Sequence, residues 1–279
     1  MPILHAIVLG LVQGLTEFLP ISSSGHLLLV PWLFGWHDFD AAGGASIEKA
    51  FDVALHIGTL VAAVAYFRKD IVVYVREGTR LVLHRDQPST PEGRLAWLLV
   101  LSSLPAAAVG ALFESTIDDH LGKPWIIAVG LIVFGLVLFV ADRTLGRRTI
   151  DEYTRLDAVI VGAAQVLSLN PGTSRSGITI TAGRFLGFNR DTAARVSFLM
   201  SLPITAGAVA YKMLKLAKDG IPDGLATPMV VGIVTSGISG WLAVWGTLQL
   251  VRSHSFTPFV IYRVAAGLLV LLVIAAGWR

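Results

Sequence analysis

Long apolar stretches alternate with short polar ones along most of the chain: residues 50–67, 95–113, 124–141, 195–214, 228–250 and 258–278. Each is close to the ~20 apolar residues that a helix needs to cross a bilayer. A spanning β-strand would instead show about 10 alternating residues, a pattern missing here. The pattern therefore predicts an all-α fold, a polytopic membrane helical bundle of about six spanning helices forming a single integral membrane domain over residues 1–279. Two further apolar regions, around residues 5–33 and 157–186, behave differently, because polar residues, proline and glycine interrupt them near the middle.

Composition supports the membrane assignment. Of 279 residues, 54% are hydrophobic and only 15% charged, more apolar surface than one soluble core can hide. The N-terminal MPILHAIVLGLVQGLTEF lacks a basic flank and a small-residue cleavage site, so it is not expected to be a removable signal. With no cysteine, disulfides, thiolate catalysis and cysteine metal sites are excluded. The formal charge of +3 is explained by basic loops facing the cytoplasm, and no nucleic-acid partner is expected.

Those basic residues concentrate in two segments. Residues 68–94 carry Arg68, Lys69, Arg76, Arg80, Arg85 and Arg94, and residues 142–155 carry Arg143, Arg147, Arg148 and Arg155. Both are expected to be cytoplasmic loops. The segments 35–50 and 114–123, with Asp38, Asp40, Glu48, Glu114, Asp118 and Asp119, are expected to face outward, although Lys215 and Lys218 in the last outer loop run against the trend.

The two interrupted regions match each other. Gln13, Thr16, Ser22, Ser24 and Gly25 fall on Gln165, Ser168, Ser174, Ser176 and Gly177 at a constant offset; AVAY at 63–66 recurs at 208–211, and Pro124 corresponds to Pro258. Three matches in the same order predict a duplication, with halves 1–150 and 151–279. Three spanning helices per half, an odd number, would insert the halves in opposite orientation, giving an inverted-topology repeat. The regions around 5–33 and 157–186 then become two re-entrant helical hairpins whose tips meet near the midplane, where irregular backbone needs protein or a wet cavity around it.

The tips carry the candidate chemistry. Gln13 and Glu17, at i and i+4, share a helix face just before Leu19 and Pro20 break the helix. Ser22, Ser23, Ser24 and Gly25 precede a second half-helix beginning near His26, where serines can cap and free N–H groups can receive an anion. The second tip, NPGTSRSGIT, repeats the plan with Pro171, Gly172, Ser174, Ser176 and Gly177 and adds Arg175. Two half-helix N-termini, several hydroxyls and one guanidinium describe a phosphate or diphosphate receptor, since the planar fork of Arg175 can hold two phosphoryl oxygens. Glu17 is suited to general-base work or to holding a divalent cation, and His26 to carrying a proton or attacking phosphorus itself.

Packing roles account for many of the other polar residues. Most membrane hydroxyls, Thr16 and Ser168 among them, are expected to bond to backbone, and Gln13 and Gln165 divide evenly between packing and site roles. A carboxylate at the bilayer centre costs about 3 kcal/mol or more, which makes Glu17 and likewise Arg175 functional expectations. Arg184 and Arg195 are expected at the cytoplasmic surface, with Arg263 snorkelling to it. His5, His37, His84, His120 and His254 are expected to be interfacial or solvated, with His56 open to either reading. Trp32, Trp36, Trp97, Trp125, Trp241, Trp245 and Trp278 suit interfacial belts.

At both tips the chain resembles the undecaprenyl-diphosphate phosphatase family, the bacitracin-resistance type of integral membrane phosphatase. Gln13 and Glu17 running into EFLPISSSGH match its glutamate-rich motif, and PGTSRSGIT matches its PGxSRSxxT motif. Length and helix count agree, so the resemblance covers essentially the whole chain. It implies removal of the terminal phosphate of undecaprenyl diphosphate at the outer face of the bacterial inner membrane, recycling the lipid carrier for cell-wall synthesis and conferring bacitracin resistance. Carried onto these positions, it implies catalytic roles for Glu17, Ser23, His26 and Arg175 and substrate binding by Gln13, Ser22, Ser174, Ser176 and Thr179. Gln13 stands where other members have Glu, which marks it as auxiliary and Glu17 as the essential carboxylate. A divalent cation, Mg or Ca, is implied at Glu17, although ligand spacing does not reveal it, and a homodimer is among the expected assemblies. The alternative class is a polyprenyl-phosphate transporter or flippase on the same inverted-repeat scaffold. Type-2 phosphatidic acid phosphatases also use SGH and SR motifs, but Thr181 stands where their second signature needs a histidine.

Overall fold

The computed structural model describes residues 1–39, 44–84, 86–219 and 224–279, apart from the side chains of residues 45, 46, 49, 114–120 and 215–219. Asp40, Arg85 and the side chains of Glu114, Asp118, Asp119, His120, Lys215 and Lys218 thus lie outside the described residues. Among the described residues the regular structure is helical throughout. Two short helices come first, α1 (Ile3–Phe18) and α2 (Ser23–Phe34), followed by α3 (Gly44–Tyr66), α4 (Arg68–Leu83), α5 (Pro91–Leu121) and α6 (Pro124–Asp142). A second short pair, α7 (Arg155–Val166) and α8 (Arg175–Phe185), is followed by α9 (Arg190–Asp219), α10 (Ala226–Ser253) and α11 (Thr257–Ala275).

Among the described residues five helices are long and apolar enough to cross a membrane: Pro91–Phe113, Pro124–Asp142, Arg190–Leu214, Ala226–Ser253 and Thr257–Ala275. Counting the pair Ala50–Tyr66 and Arg68–Leu83 as one broken span gives six. The chain is thus a polytopic membrane helical bundle. One detail departs from expectation: most of the basic segment 68–94 is not a loop but α4, which bends 82° away from the preceding helix. Its Arg68, Lys69, Arg76 and Arg80 alternate with Ile71, Val72, Val73 and Val75, a pattern that suits a helix lying at the surface better than an unstructured loop.

Each member of the short pairs is shorter than a span: 16 residues of helix reach only about 24 Å against ~30 Å of hydrocarbon. Helix α1 packs on α2 and α7 on α8, so each pair forms a hairpin. The hairpins are held by long helices from the other half of the sequence, α1 against α10 and α7 against α5. Small residues permit the first contact: a Cβ added at Gly14 would lie 1.9 Å from Ser239 Oγ and 2.5 Å from the Ser236 carbonyl. Thr16 and Ser168 bond to carbonyls of their own helices, as expected for membrane hydroxyls.

Two arginines expected at the surface are interior. Arg263 is fully buried, and Arg184 is 3% exposed. Arg184 donates to the carbonyls of Phe188 and Thr144 beside Asp142, closing the end of α8 onto the end of α6. Snorkelling fails for Arg263 because it lies on the face of α11 that packs against α6, where carbonyl acceptors replace water. Arg195 is half-buried and paired with Asp191 at 2.9 Å.

Candidate active site

Both hairpins turn through a serine in an unusual conformation. Ser22 (φ 77°, ψ 94°) and Ser174 (φ 75°, ψ 118°) are, among the described residues, the only non-glycine residues with positive φ. That region is disfavoured for side chains bearing a Cβ and persists only where surrounding contacts fix it. Here the fixing contacts are matched. Each serine caps its second half-helix, Ser22 Oγ accepting from the Gly25 amide at 3.4 Å and Ser174 Oγ from the Gly177 amide at 3.0 Å.

The tips then lock onto one another. Ser22 Oγ also accepts from the Gly172 amide at 3.0 Å, and Ser176 Oγ donates to the Leu19 carbonyl at 3.0 Å. Arg263 reaches across from α11 and donates to five carbonyls: Pro20 of the first tip at 3.1 Å, Gly172 and Thr173 of the second at 2.9 Å each, and Gly130 and Leu131 of α6 at 3.3 and 3.0 Å. Gly172 is required at this junction, since its φ is 96° and a Cβ there would lie 2.4 Å from the Ile127 carbonyl.

On this frame stands a buried charged group. Glu17, 7% exposed, ends α1, and Arg175 opens α8; Arg175 Nη2 donates to Glu17 Oε1 at 2.5 Å. Ser23 Oγ donates to Glu17 Oε2 at 2.5 Å, and Gln13 Nε2 to the same oxygen at 3.1 Å. His56 Nε2, on α3, lies 3.9 Å from Glu17 Oε2, its Nδ1 fixed by the Asp52 carbonyl at 2.7 Å. A cavity of about 340 Å³ opens beside this group, lined by Glu17, Arg175, Asp52, His56, Gln165 and Lys212 among others. Two candidates face elsewhere. His26 bonds through Nδ1 to the Ser22 carbonyl and through Nε2 to the Tyr262 hydroxyl, both at 2.7 Å, while Thr179 bonds to the Arg175 carbonyl at 2.8 Å and to Ser197 at 2.7 Å.

Of the nine candidates, four converge: Gln13, Glu17, Ser23 and Arg175. Ser22 and Ser176 knit the tips together, Ser174 caps its own half-helix, and His26 and Thr179 back the frame from either side. Sequence reasoning missed Arg263, although an arginine inside the apolar run 258–278 carries the same signal that singled out Glu17. It also missed Tyr262 and left His56 undecided.

The donor set admits a cation only in part. Among the described residues no three His, Cys, Asp or Glu side chains gather into a metal cage. Beside Glu17, however, Gln13 Oε1 is buried with no protein partner, a free acceptor next to a carboxylate. That fits an ion of the magnesium type, which takes one or two protein oxygens and completes its shell with phosphate and water.

The chain is thus, in class, a helical membrane protein with a carboxylate, a guanidinium and a serine brought together at two facing hairpin tips, a set of groups suited to anionic chemistry. Residues 6–269 match the profile of the bacitracin resistance protein BacA family. The chain is 49% identical over 280 residues to the undecaprenyl-diphosphatase of Pelobacter propionicus, covering 99% of each chain. It is 48% identical over 269 residues to that of Geobacter sulfurreducens, 96% of each, and 45% identical over 279 residues to that of Moorella thermoacetica, 100% of this chain and 99% of the relative. The chain belongs to the BacA family.

Proposed function

We propose that this protein hydrolyses undecaprenyl diphosphate to undecaprenyl phosphate, with Glu17, Ser23 and Arg175 at the reacting centre. The observation that carries the mechanism is the 2.5 Å hydrogen bond from Ser23 to a carboxylate whose other oxygen is held by Arg175. Glu17 takes the Ser23 proton as Oγ bonds to the terminal phosphorus; the bond from that phosphorus to the bridging oxygen breaks, and undecaprenyl phosphate leaves. Arg175 swings its fork from Glu17 onto the phosphoryl oxygens and neutralises their charge. The leaving undecaprenyl phosphate carries off the proton held by Glu17, whose carboxylate then takes a proton from the water that attacks the phosphoserine. The phosphorus–Oγ bond breaks, Ser23 recovers a proton from Glu17, and phosphate is released. Gln13 and Glu17 would hold a divalent cation, which supplies further charge neutralisation when bound. His26 faces Tyr262 rather than Glu17, which favours a supporting role over direct attack on phosphorus.

The location read for it is the bacterial plasma membrane, with the site facing outward. Support comes from the cavity's position along the helices: its α3 residue Asp52 and its α9 residue Lys212 lie toward the ends of those helices farthest from the basic segments 68–94 and 142–155. The matching serines and crossed packing favour two inverted halves, 1–150 and 151–279, entwined into one domain. This reading makes the enzyme a recycler of the cell-wall lipid carrier, a source of bacitracin resistance and a candidate homodimer. Flipping of the product lipid would be an added activity rather than a replacement.

Phosphate release by the purified protein in detergent, where no gradient exists, separates an enzyme from a transporter; no hydrolysis of undecaprenyl diphosphate would sink the proposal. Under rapid quench, Ser23→Ala is expected to abolish a phosphoryl adduct that His26→Ala still forms.

A further inference from the structure

Gln165 lies in the last turn of α7 and is fully buried, yet neither its amide oxygen nor its amide nitrogen has a partner in the protein. Gln13, its counterpart at the other tip, differs in this respect. Four residues after Gln13 stands Glu17, which accepts its amide proton, whereas four residues after Gln165 stands Leu169, which can accept nothing. Gln165 instead lines the cavity that Glu17 and Arg175 also line. Arg175 Nη1 is likewise buried without a partner, while its Nη2 is engaged with Glu17. Two residues from different helices that line one cavity thus each carry an unsatisfied N–H donor, and buried donors left unpaired are unfavourable unless a ligand supplies acceptors. Ser23 is not among the residues lining that cavity; it meets Glu17 at the other carboxylate oxygen. Glu17 thus joins Ser23 on one oxygen to Arg175 on the other, and Arg175 shares its cavity with Gln165.

We propose that Gln165 is a specificity-determining residue that binds the lipid-linked phosphoryl group, the one that is not transferred. The inference rests on the phosphatase reading. The terminal phosphoryl lies toward Ser23 and Glu17, the lipid-linked one toward Gln165, and Arg175 grips both. A diphosphate then fills both positions, and the amide nitrogen of Gln165 is satisfied only when the second phosphoryl is present. A glutamine serving only to pack α7 against α5 would have no such dependence.

The two products separate the positions, because a polyprenyl monophosphate carries only the lipid-linked group and inorganic phosphate only the transferred one. Binding of farnesyl monophosphate and of inorganic phosphate is measured on the purified full chain in detergent, for wild type and Gln165→Leu. Loss of a buried hydrogen bond to a charged phosphoryl is expected to weaken farnesyl monophosphate binding roughly 10-fold or more. Inorganic phosphate binding is expected to change less than about twofold, and KM for farnesyl diphosphate is expected to rise more than kcat falls. Since the glutamine has no protein partner to lose, thermal stability is expected to hold; if Gln165→Leu does not fold, Gln165→Asn, which withdraws the amide by one methylene, is expected to give the same pattern. Unchanged farnesyl monophosphate binding, or equal weakening of both ligands, would overturn the assignment. Failure of the wild type to hydrolyse farnesyl or undecaprenyl diphosphate would instead overturn the phosphatase reading, while the binding comparison would still report on Gln165.

Discussion

The two hairpin tips share a backbone and differ in charge. Both turn through a serine at φ near 76°, both cap a half-helix with that serine's hydroxyl, and both place a glycine where the facing tip comes close. The first tip then contributes a carboxylate from the helix before its turn, and the second a guanidinium from the helix after it. Leu169 stands where a second Glu17 would fall, and Ser23 where a second Arg175 would fall. A symmetric frame with divergent charged groups gives an asymmetric site, which suits the proposed transfer of one phosphoryl group out of two. The shared part is structural, the divergent part chemical, and the two should fail differently when altered.

The largest effect is expected where the tips are tied. Arg263→Leu removes a charged donor shared by five carbonyls and leaves those of Pro20, Gly172 and Thr173 at the tips without it, a loss of about 3–5 kcal/mol by analogy with other broken buried charge networks. Thermal unfolding in detergent should show a large fall in Tm, with activity lost alongside it. A variant as stable and active as wild type would mean that the tips do not depend on this tie.

Altering the divergent part should reduce turnover while sparing the fold. Glu17→Gln retains hydrogen-bonding capacity but cannot take the Ser23 proton, so kcat for phosphate release is expected to fall about 10²–10⁴-fold. Arg175→Lys keeps the charge but loses the planar fork, and a drop in kcat/KM on the order of 10²-fold is expected. Near-wild-type activity for Arg175→Lys would refute a two-oxygen clamp.

The smallest effect compares the matched serines directly. Ser22 serves two amides, Gly25 and Gly172, whereas Ser174 serves Gly177 alone among backbone amides. Ser22→Ala is expected to cost about 2 kcal/mol and Ser174→Ala about 1, as for other lost caps. Chemical denaturation of both variants under one set of conditions would measure the difference, and a larger loss for Ser174→Ala would reverse the assigned roles.

Much of this site was legible because polar residues in lipid are costly. Glu17 and Arg175 stood out against apolar runs, and Pro20, Pro171 and the serines marked where helices had to stop. The same rule should have drawn Arg263 inward, but snorkelling is available to any long cationic side chain, and only a neighbouring helix decides whether carbonyls are nearer than water. The alternating character of α4 was hidden for a similar reason: a run of arginines marks a cytoplasmic side whether it lies in a loop or on a surface helix.

By itself, the sequence determined that the chain is a helical membrane protein, that its two interrupted segments repeat one another, and that a carboxylate, a guanidinium and clustered hydroxyls sit at the two breaks. Periodicity, turn residues and the cost of burying charge are local or nearly local, so they can be read along the chain. Tertiary structure alone decided how adjacent serines divide their work, with Ser22 binding the facing tip and Ser23 facing Glu17, and why His26 turns to Tyr262. It also decided that Arg263 holds both tips from a helix more than 80 residues away in sequence. These outcomes depend on which groups approach within hydrogen-bonding distance once the helices pack, and no spacing along the chain encodes that distance.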